Sequence, residues 1–150
     1  MRAVIQRVKR ASVTVDSEVI GKIEGGLLVL LGVEPNDLDE DAQWLAQKIG
    51  KLRLFPNETG DWDWSVVDAR LGVLVVSQFT LFASTKKGTK PSWHRAAKPE
   101  FAEAMCVRFV DRLNEVMPKP VQAGRFGAMM DVSLVNDGPV TLIIDSKVRE

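Results

Sequence analysis

Gly26–Val33, GLLVLLGV, contains no polar side chain. The run is far too short to span a bilayer, so it fits a strand buried on both faces, which needs covering elements on each side. The residues around it supply them. Leu71–Phe82 is a second strongly apolar strand candidate and ends in Ser77-Gln78-Phe79-Thr80-Leu81. Val13 and Val15 alternate with Ser12 and Thr14, the period of a half-buried strand; Met1–Val8 and Val19–Glu24 repeat the pattern more weakly. Gly25-Gly26 and Lys9-Arg10 read as turns. Met129–Val135 and Val140–Asp145 read as two final strands flanking Asn136-Asp137-Gly138-Pro139.

Two stretches carry helical periodicity instead. Leu38, Ala42, Leu45, Ile49 and Leu52 recur at steps of four and three, with Asn36 or Asp37 as cap and acids in the first turn. Pro99 suits the first turn of a second helix. There Phe101, Met105, Phe109 and Leu113 mark a stripe widened by Ala102, Cys106, Val110 and Met117, and Pro118 and Pro120 end it. Asn57–Asp63 and Ala83–Lys98 read as loops. The predicted fold class is mixed α/β (α+β): a mostly antiparallel, barrel-like sheet with two amphipathic helices packed on it. A length of 150 residues fits one domain over 1–150.

The N-terminal residues lack the apolar core of a signal peptide, and one cysteine allows no internal disulfide. The expectation is a soluble, cytoplasmic protein with no membrane partner. Twenty basic and twenty acidic residues cancel, yet they are partitioned. Acids cluster at Glu34–Asp41 and Glu58–Asp68. Ala69–Pro99 has none and carries Arg70, Lys86, Lys87, Lys90, Arg95 and Lys98, and the first fifteen residues are also free of acids. A neutral chain of this kind can present a basic face to a polyanion; equally, the charges can be solvated or paired with the acidic segments.

Much chemistry is excluded. One histidine and one cysteine do not build a zinc site of the usual type. There is no Walker motif, no G-x-G-x-x-G after a strand and no G-x-S-x-G elbow. His94, in the basic loop, reads as a surface residue, and Cys106, on a buried helix, as packing. An enzyme of this sequence is expected to work without a metal, a cofactor or a dedicated imidazole base.

Two segments remain. If Ser77–Leu81 is extended, Gln78 and Thr80 share one face while Ser77, Phe79 and Leu81 share the other. A strand end with free N–H groups can hold a developing oxyanion, although threonine is also simply a good strand residue. Gly138-Pro139 opens a strand and can present backbone carbonyls to an ammonium, or can be an ordinary turn.

Taken in register, the motifs resemble one family. SQFTL, then Lys86-Lys87-Gly88 and Pro91-Ser92, then Gly124-Arg125-Phe126, then Val132–Thr141 (VSLVNDGPVT), with Met1–Val8 (MRAVIQRV) opening the chain, closely resemble the D-aminoacyl-tRNA deacylases over essentially the whole length. Lys90 and Trp93 stand where members often carry Arg and Phe.

The resemblance implies a homodimeric hydrolase that cleaves the ester between a D-amino acid, or mischarged glycine, and the terminal ribose of tRNA. It implies a cis Gly138-Pro139 bond that reaches into the partner subunit's pocket. There its carbonyls hold the substrate ammonium and leave no room for an L side chain, with Arg7 bracing the motif. Ser77, Gln78, Phe79 and Thr80 would form the catalytic segment. Phe126 and Met130 would lie near the terminal adenine, and Lys86, Lys87 and Lys90 near acceptor-stem phosphates. Thr80 has no evident activating base, so assistance by the ribose 2′-hydroxyl is the expected mechanism. DNA is not an expected partner. The alternatives are a deacylase for L-alanyl-mischarged tRNA with a trans Gly-Pro bond, whose motif lacks the Ser and Phe present here, and a non-catalytic nucleic-acid-binding module.

Overall fold

The computed structural model describes residues 1–149. The chain runs through β1 (Arg2–Val15), β2 (Glu18–Ile23), β3 (Gly26–Gly32), α1 (Asp39–Lys51), β4 (Phe55–Pro56), β5 (Trp62–Trp64), β6 (Gly72–Ser77), a 3-10 turn (Phe79–Phe82), α2 (Pro99–Asn114), β7 (Gln122–Ala123) and β8 (Asp131–Asp145). One sheet has the order β2-β1-β3-β6-β7, with β8 on the free side of β1; β4 and β5 form a separate ribbon. β1 is antiparallel to β2, β3 and β8, whereas β3–β6 and β6–β7 are parallel. Each parallel join needs a crossover, and each crossover carries one of the helices.

The central run is covered on both faces, as its composition requires. Leu27, Val29 and Leu31 of β3, with Val73 and Val75 of β6, face the helices, while Leu28 and Leu74 face a second cluster with Val8, Ala11 and Val13. The sheet curls so that β2 meets its far side: a Cβ on Gly21 would stand 3.1 Å from the Ala123 carbonyl oxygen. Gly26 is required where β3 passes β6, because a Cβ there would lie 1.9 Å from the Gly72 carbonyl oxygen. No helix among the described residues is long and apolar enough to cross a membrane.

Several local expectations are corrected. Lys9-Arg10 is not a turn, because β1 runs straight through it. The β1–β8 register shifts there, so Val8 and Ala11 enter the same cluster although they are three residues apart. The two final strands are one irregular strand, β8, paired with β1 along its length. Trp62 and Asp63 lie in β5 rather than in a loop.

Leu38, not Asn36 or Asp37, occupies the α1 cap and is 59% exposed; its N–H donates to the Asp41 carboxylate at 2.8 Å. Asp37 instead turns inward to accept bonds from the Met1 ammonium and the Glu34 N–H. Phe101 is exposed at the edge of α2, whose buried stripe runs through Ala102, Met105, Phe109 and Leu113.

Candidate active site

The Ser77–Leu81 segment is not extended. β6 stops at Ser77, opposite Leu31, and the Gln78 N–H makes a last ladder bond to the Leu31 carbonyl at 2.7 Å. Phe79–Phe82 then close a 3-10 turn, with the Leu81 N–H on the Gln78 carbonyl at 3.2 Å and the Ala83 N–H on the Thr80 carbonyl at 3.0 Å. The turn seats on the backbone of Gly32, where a Cβ would meet Phe82 at 3.0 Å and Leu81 at 3.1 Å. Gln78 and Thr80 remain neighbours, because the Gln78 amide donates to the Thr80 hydroxyl. The N–H groups of Phe79 and Thr80, at the start of the turn, have no acceptor among the described residues.

Ser77, Gln78 and Phe79 line one wall of a groove of about 430 Å³ whose other wall includes Phe126 and Met130. These five residues, from two motifs and the separate Met130, thus line one groove, and Thr80 is not among its lining residues. The apolar floor and open top suit a flat, partly apolar group, with an aromatic face and a thioether for stacking. Gly124 lets Met130 approach, since a Cβ there would lie 2.6 Å from the sulfur. A second recess of about 350 Å³ adjoins at Ser77 and Phe126 and contains Cys106. Burial, with Glu103 nearby, pushes the Cys106 thiol up to about 12. It stays a thiol at neutral pH, as suits a packing residue.

The Asn136–Thr141 segment bulges out of β8. Between the Gln6–Thr141 and Val8–Asn136 pairings, β1 has one residue, Arg7, while β8 has four, Asp137–Val140. The neck of the bulge is closed by side chains. Asn136 accepts the Val140 N–H at 3.3 Å and donates to the Thr141 hydroxyl at 3.1 Å. Val140 is buried beneath it, and Gly138 and Pro139 stand exposed at its tip. Gly138 has φ +122°, a left-handed conformation that favours glycine, and its peptide bond to Pro139 is cis.

Arg7 fills the space opposite the bulge and is 7% exposed. Its Nε donates to the Asp137 carbonyl at 3.3 Å and lies 3.2 Å from the Asp137 carboxylate, while Nη1 donates to the Leu54 carbonyl. The guanidinium stacks 4.7 Å above the ring centre of Trp62. Leu54 and Trp62 were invisible as site residues in the sequence. The only signal was Arg7 itself, a charge on the strand face otherwise formed by Met1, Ala3 and Ile5.

The turn and the bulge do not meet within one chain. Leu31 is opposite both Ser77 and Ala3, and Ala3 is opposite Ile144, some five residues along β8 from Pro139. Three strand spacings and that offset separate the two segments by on the order of 20 Å.

Lys86, Lys87 and Lys90 lie apart from the groove, with Ser84, Ser92 and His94, around an exposed hollow of about 430 Å³. None of the three lysines makes an ion pair among the described residues, whereas Arg95 of the same segment pairs with Glu34 at 3.1 Å. The loop is pinned at its base by reciprocal bonds of 2.9 Å between Ser84 and Ser92. Phe79 and Trp93 pack edge to face, 5.3 Å between centres, so the basic loop touches the turn. His94 is exposed and bonds only Ser92, at 3.0 Å.

The chain is similar to known proteins over its length. The family model for D-Tyr-tRNA(Tyr) deacylase matches residues 4–145. A D-aminoacyl-tRNA deacylase from Opitutus terrae is 57% identical over 150 residues, with all of both chains covered. The solved structure of a c-Myc DNA Unwinding Element Binding Protein is 43% identical and superposes with a TM-score of 0.91 over 97% of this chain and 98% of that one. A probable eukaryotic D-amino acid tRNA deacylase shares the fold at 15% identity, TM-score 0.81, over 95% of this chain and 97% of that one. With the match running from β1 to the end of β8, the chain belongs to the D-Tyr-tRNA(Tyr) deacylase family.

Proposed function

We propose that this protein hydrolyses the ester of D-aminoacyl-tRNA, and of mischarged glycyl-tRNA, in the cytoplasm, at a pocket completed by two copies of the chain. The observation that carries the reading is the Arg7-braced bulge, which holds the backbone of Gly138 and Pro139 at an exposed tip, far from the turn of its own chain. In the pocket, the carbonyls of Gly138 and Pro139 from one copy hold the substrate ammonium against the groove of the other. Backbone packed beside the α-carbon excludes an L side chain stiffly, while a D side chain points away and glycine has nothing to reject.

The second copy has a natural seat. Among the described residues β8 pairs only with β1, so its outer edge is open. Beside it, Ile143 is 70% and Val148 60% exposed, and both line a cavity of about 790 Å³ that also reaches Leu81 at the end of the turn. Apolar surface along an open strand edge is what an association face needs.

Chemistry falls to the turn and the substrate. The unpartnered N–H groups of Phe79 and Thr80 hold the oxyanion that forms when water attacks the ester carbonyl. Thr80 is bonded to Gln78, with no base beside it, so it orients rather than attacks. Phe126 and Met130 stack the terminal adenine, and the ribose 2′-hydroxyl assists the water.

The test is hydrolysis of D-Tyr-tRNA, L-Tyr-tRNA and L-Ala-tRNA side by side. Release of the D-amino acid alone fits. Release of L-alanine would favour the rival deacylase, and binding without any release a nucleic-acid-binding module. The unpaired lysines give a second expectation. The rate constant kcat/KM should fall with salt, and replacing Lys86, Lys87 and Lys90 together by alanine should flatten the log–log slope by about 2. A slope that is flat in the unaltered protein contradicts phosphate contact by that loop.

A further inference from the structure

We propose that Arg2 is a positioning residue for the oxyanion-binding turn, and that Asp145 fixes Arg2 in place. This rests on the reading that the Phe79 and Thr80 N–H groups hold the oxyanion. Arg2 opens β1 and Asp145 closes β8, and the register puts them opposite each other. The Arg2 Nε donates to the Asp145 carboxylate at 3.0 Å, and Nη2 lies 3.0 Å from the same oxygen. That leaves Nη1 to reach across to the Leu81 carbonyl, also at 3.0 Å. The guanidinium lies over the Phe82 ring, 4.8 Å from its centre, and Phe82 is fully buried.

A 3-10 turn of four residues makes few bonds of its own, so its geometry is set by what grips it. The Gln78 N–H ties its start to β3, and Gly32 lets its body sit flat on the strand. At its end the Leu81 carbonyl has a single donor among the described residues, and that donor is Arg2. The two N–H groups lie between these grips. Arg2 is absent from the groove formed by Ser77, Phe79 and Met130. With Asp145 it also lines the cavity on the proposed association face, so each variant is confirmed as a dimer by its mass in solution before its kcat is read as an effect through the turn. Loss of the grip should therefore weaken transition-state stabilisation and leave substrate binding nearly untouched.

The experiment measures kcat and KM for D-Tyr-tRNA in the unaltered protein and in Arg2→Met, Arg2→Lys and Asp145→Asn, with melting temperatures alongside. Arg2→Met keeps the stem over Phe82 and loses the donors. It should lower kcat about tenfold, with KM within about twofold. Because a partly unfolded sample also loses apparent kcat at constant KM, rates are taken per folded protein, well below the measured melting temperature. Arg2→Lys restores one donor and should recover part of kcat; Asp145→Asn should cost about threefold. Unaltered kcat in a folded Arg2→Met, or a loss carried by KM, overturns the proposal. If Arg2→Met fails to fold, unaltered kcat in Arg2→Lys and Asp145→Asn overturns it instead. Full kcat in a folded Thr80→Pro, which lacks one of the two N–H groups, would refute the underlying reading, whatever the Arg2 variants do.

Discussion

Arg7→Ala should reduce D-Tyr-tRNA hydrolysis by about a hundredfold or more, the usual consequence of misplacing a reacting contact by about 1 Å. The cause is local. Arg7 is the one β1 residue facing four residues of β8, and its guanidinium satisfies the Asp137 and Leu54 carbonyls at once. Truncation leaves those carbonyls without their donor, removes the cover of Trp62 and frees Gly138, whose Cβ position is 3.2 Å from Arg7 Nη2. Lost bonds and a cavity of that size cost about 2–4 kcal/mol, which lowers the melting temperature of a chain this long by roughly 5–15 °C. Arg7→Lys keeps the charge without the fork and should not rescue activity. Calorimetry beside the hydrolysis assay checks both effects; full activity in a folded Arg7→Ala would remove the bulge from the mechanism.

The second large effect lies in the substrate. D-Tyr-tRNA ending in 2′-deoxyadenosine should be hydrolysed about a thousandfold more slowly, the scale of a lost acid–base contribution. Thr80→Ala should cost only about tenfold, because the bond from the Gln78 amide orients the turn and is not part of the bond-breaking step. The 2′-deoxy terminus also fixes the ester on the 3′-oxygen, so single-turnover rates compare that ester with and without its neighbouring hydroxyl. Complete loss in Thr80→Ala with an unaffected deoxy substrate would reverse the two roles.

How much of this was legible in the sequence differs by element. Side-chain period exposes which faces are covered, so the doubly buried β3 and β6 and the two helices could be read from GLLVLLGV and from the spacing of Leu45, Ile49, Phe109 and Leu113. Period does not expose register. The four-for-one slip opposite Arg7 depends on two strands more than a hundred residues apart, so Asn136–Pro139 looked like a turn between separate strands. Ser77–Leu81 looked like continuing strand because its residues favour strands. What ends β6 is the neighbouring Gly32, which makes room for Phe82 and Leu81 to fold back. Arg2 gave no signal at all, since its partners Leu81 and Asp145 come from other elements.

The central claim is that the Ser77–Leu81 turn and the Gly138-Pro139 tip are two halves of one pocket supplied by different copies. It is tested by mixing two inactive variants, Gly138→Ala and the double variant Gln78→Ala/Thr80→Pro, after unfolding and refolding them together. Random pairing makes half the dimers mixed, each with one intact and one doubly altered pocket, so D-Tyr-tRNA hydrolysis should return to about a quarter of the unaltered rate. Mixed dimers that form, as native mass spectrometry would report, yet recover no activity would contradict the claim.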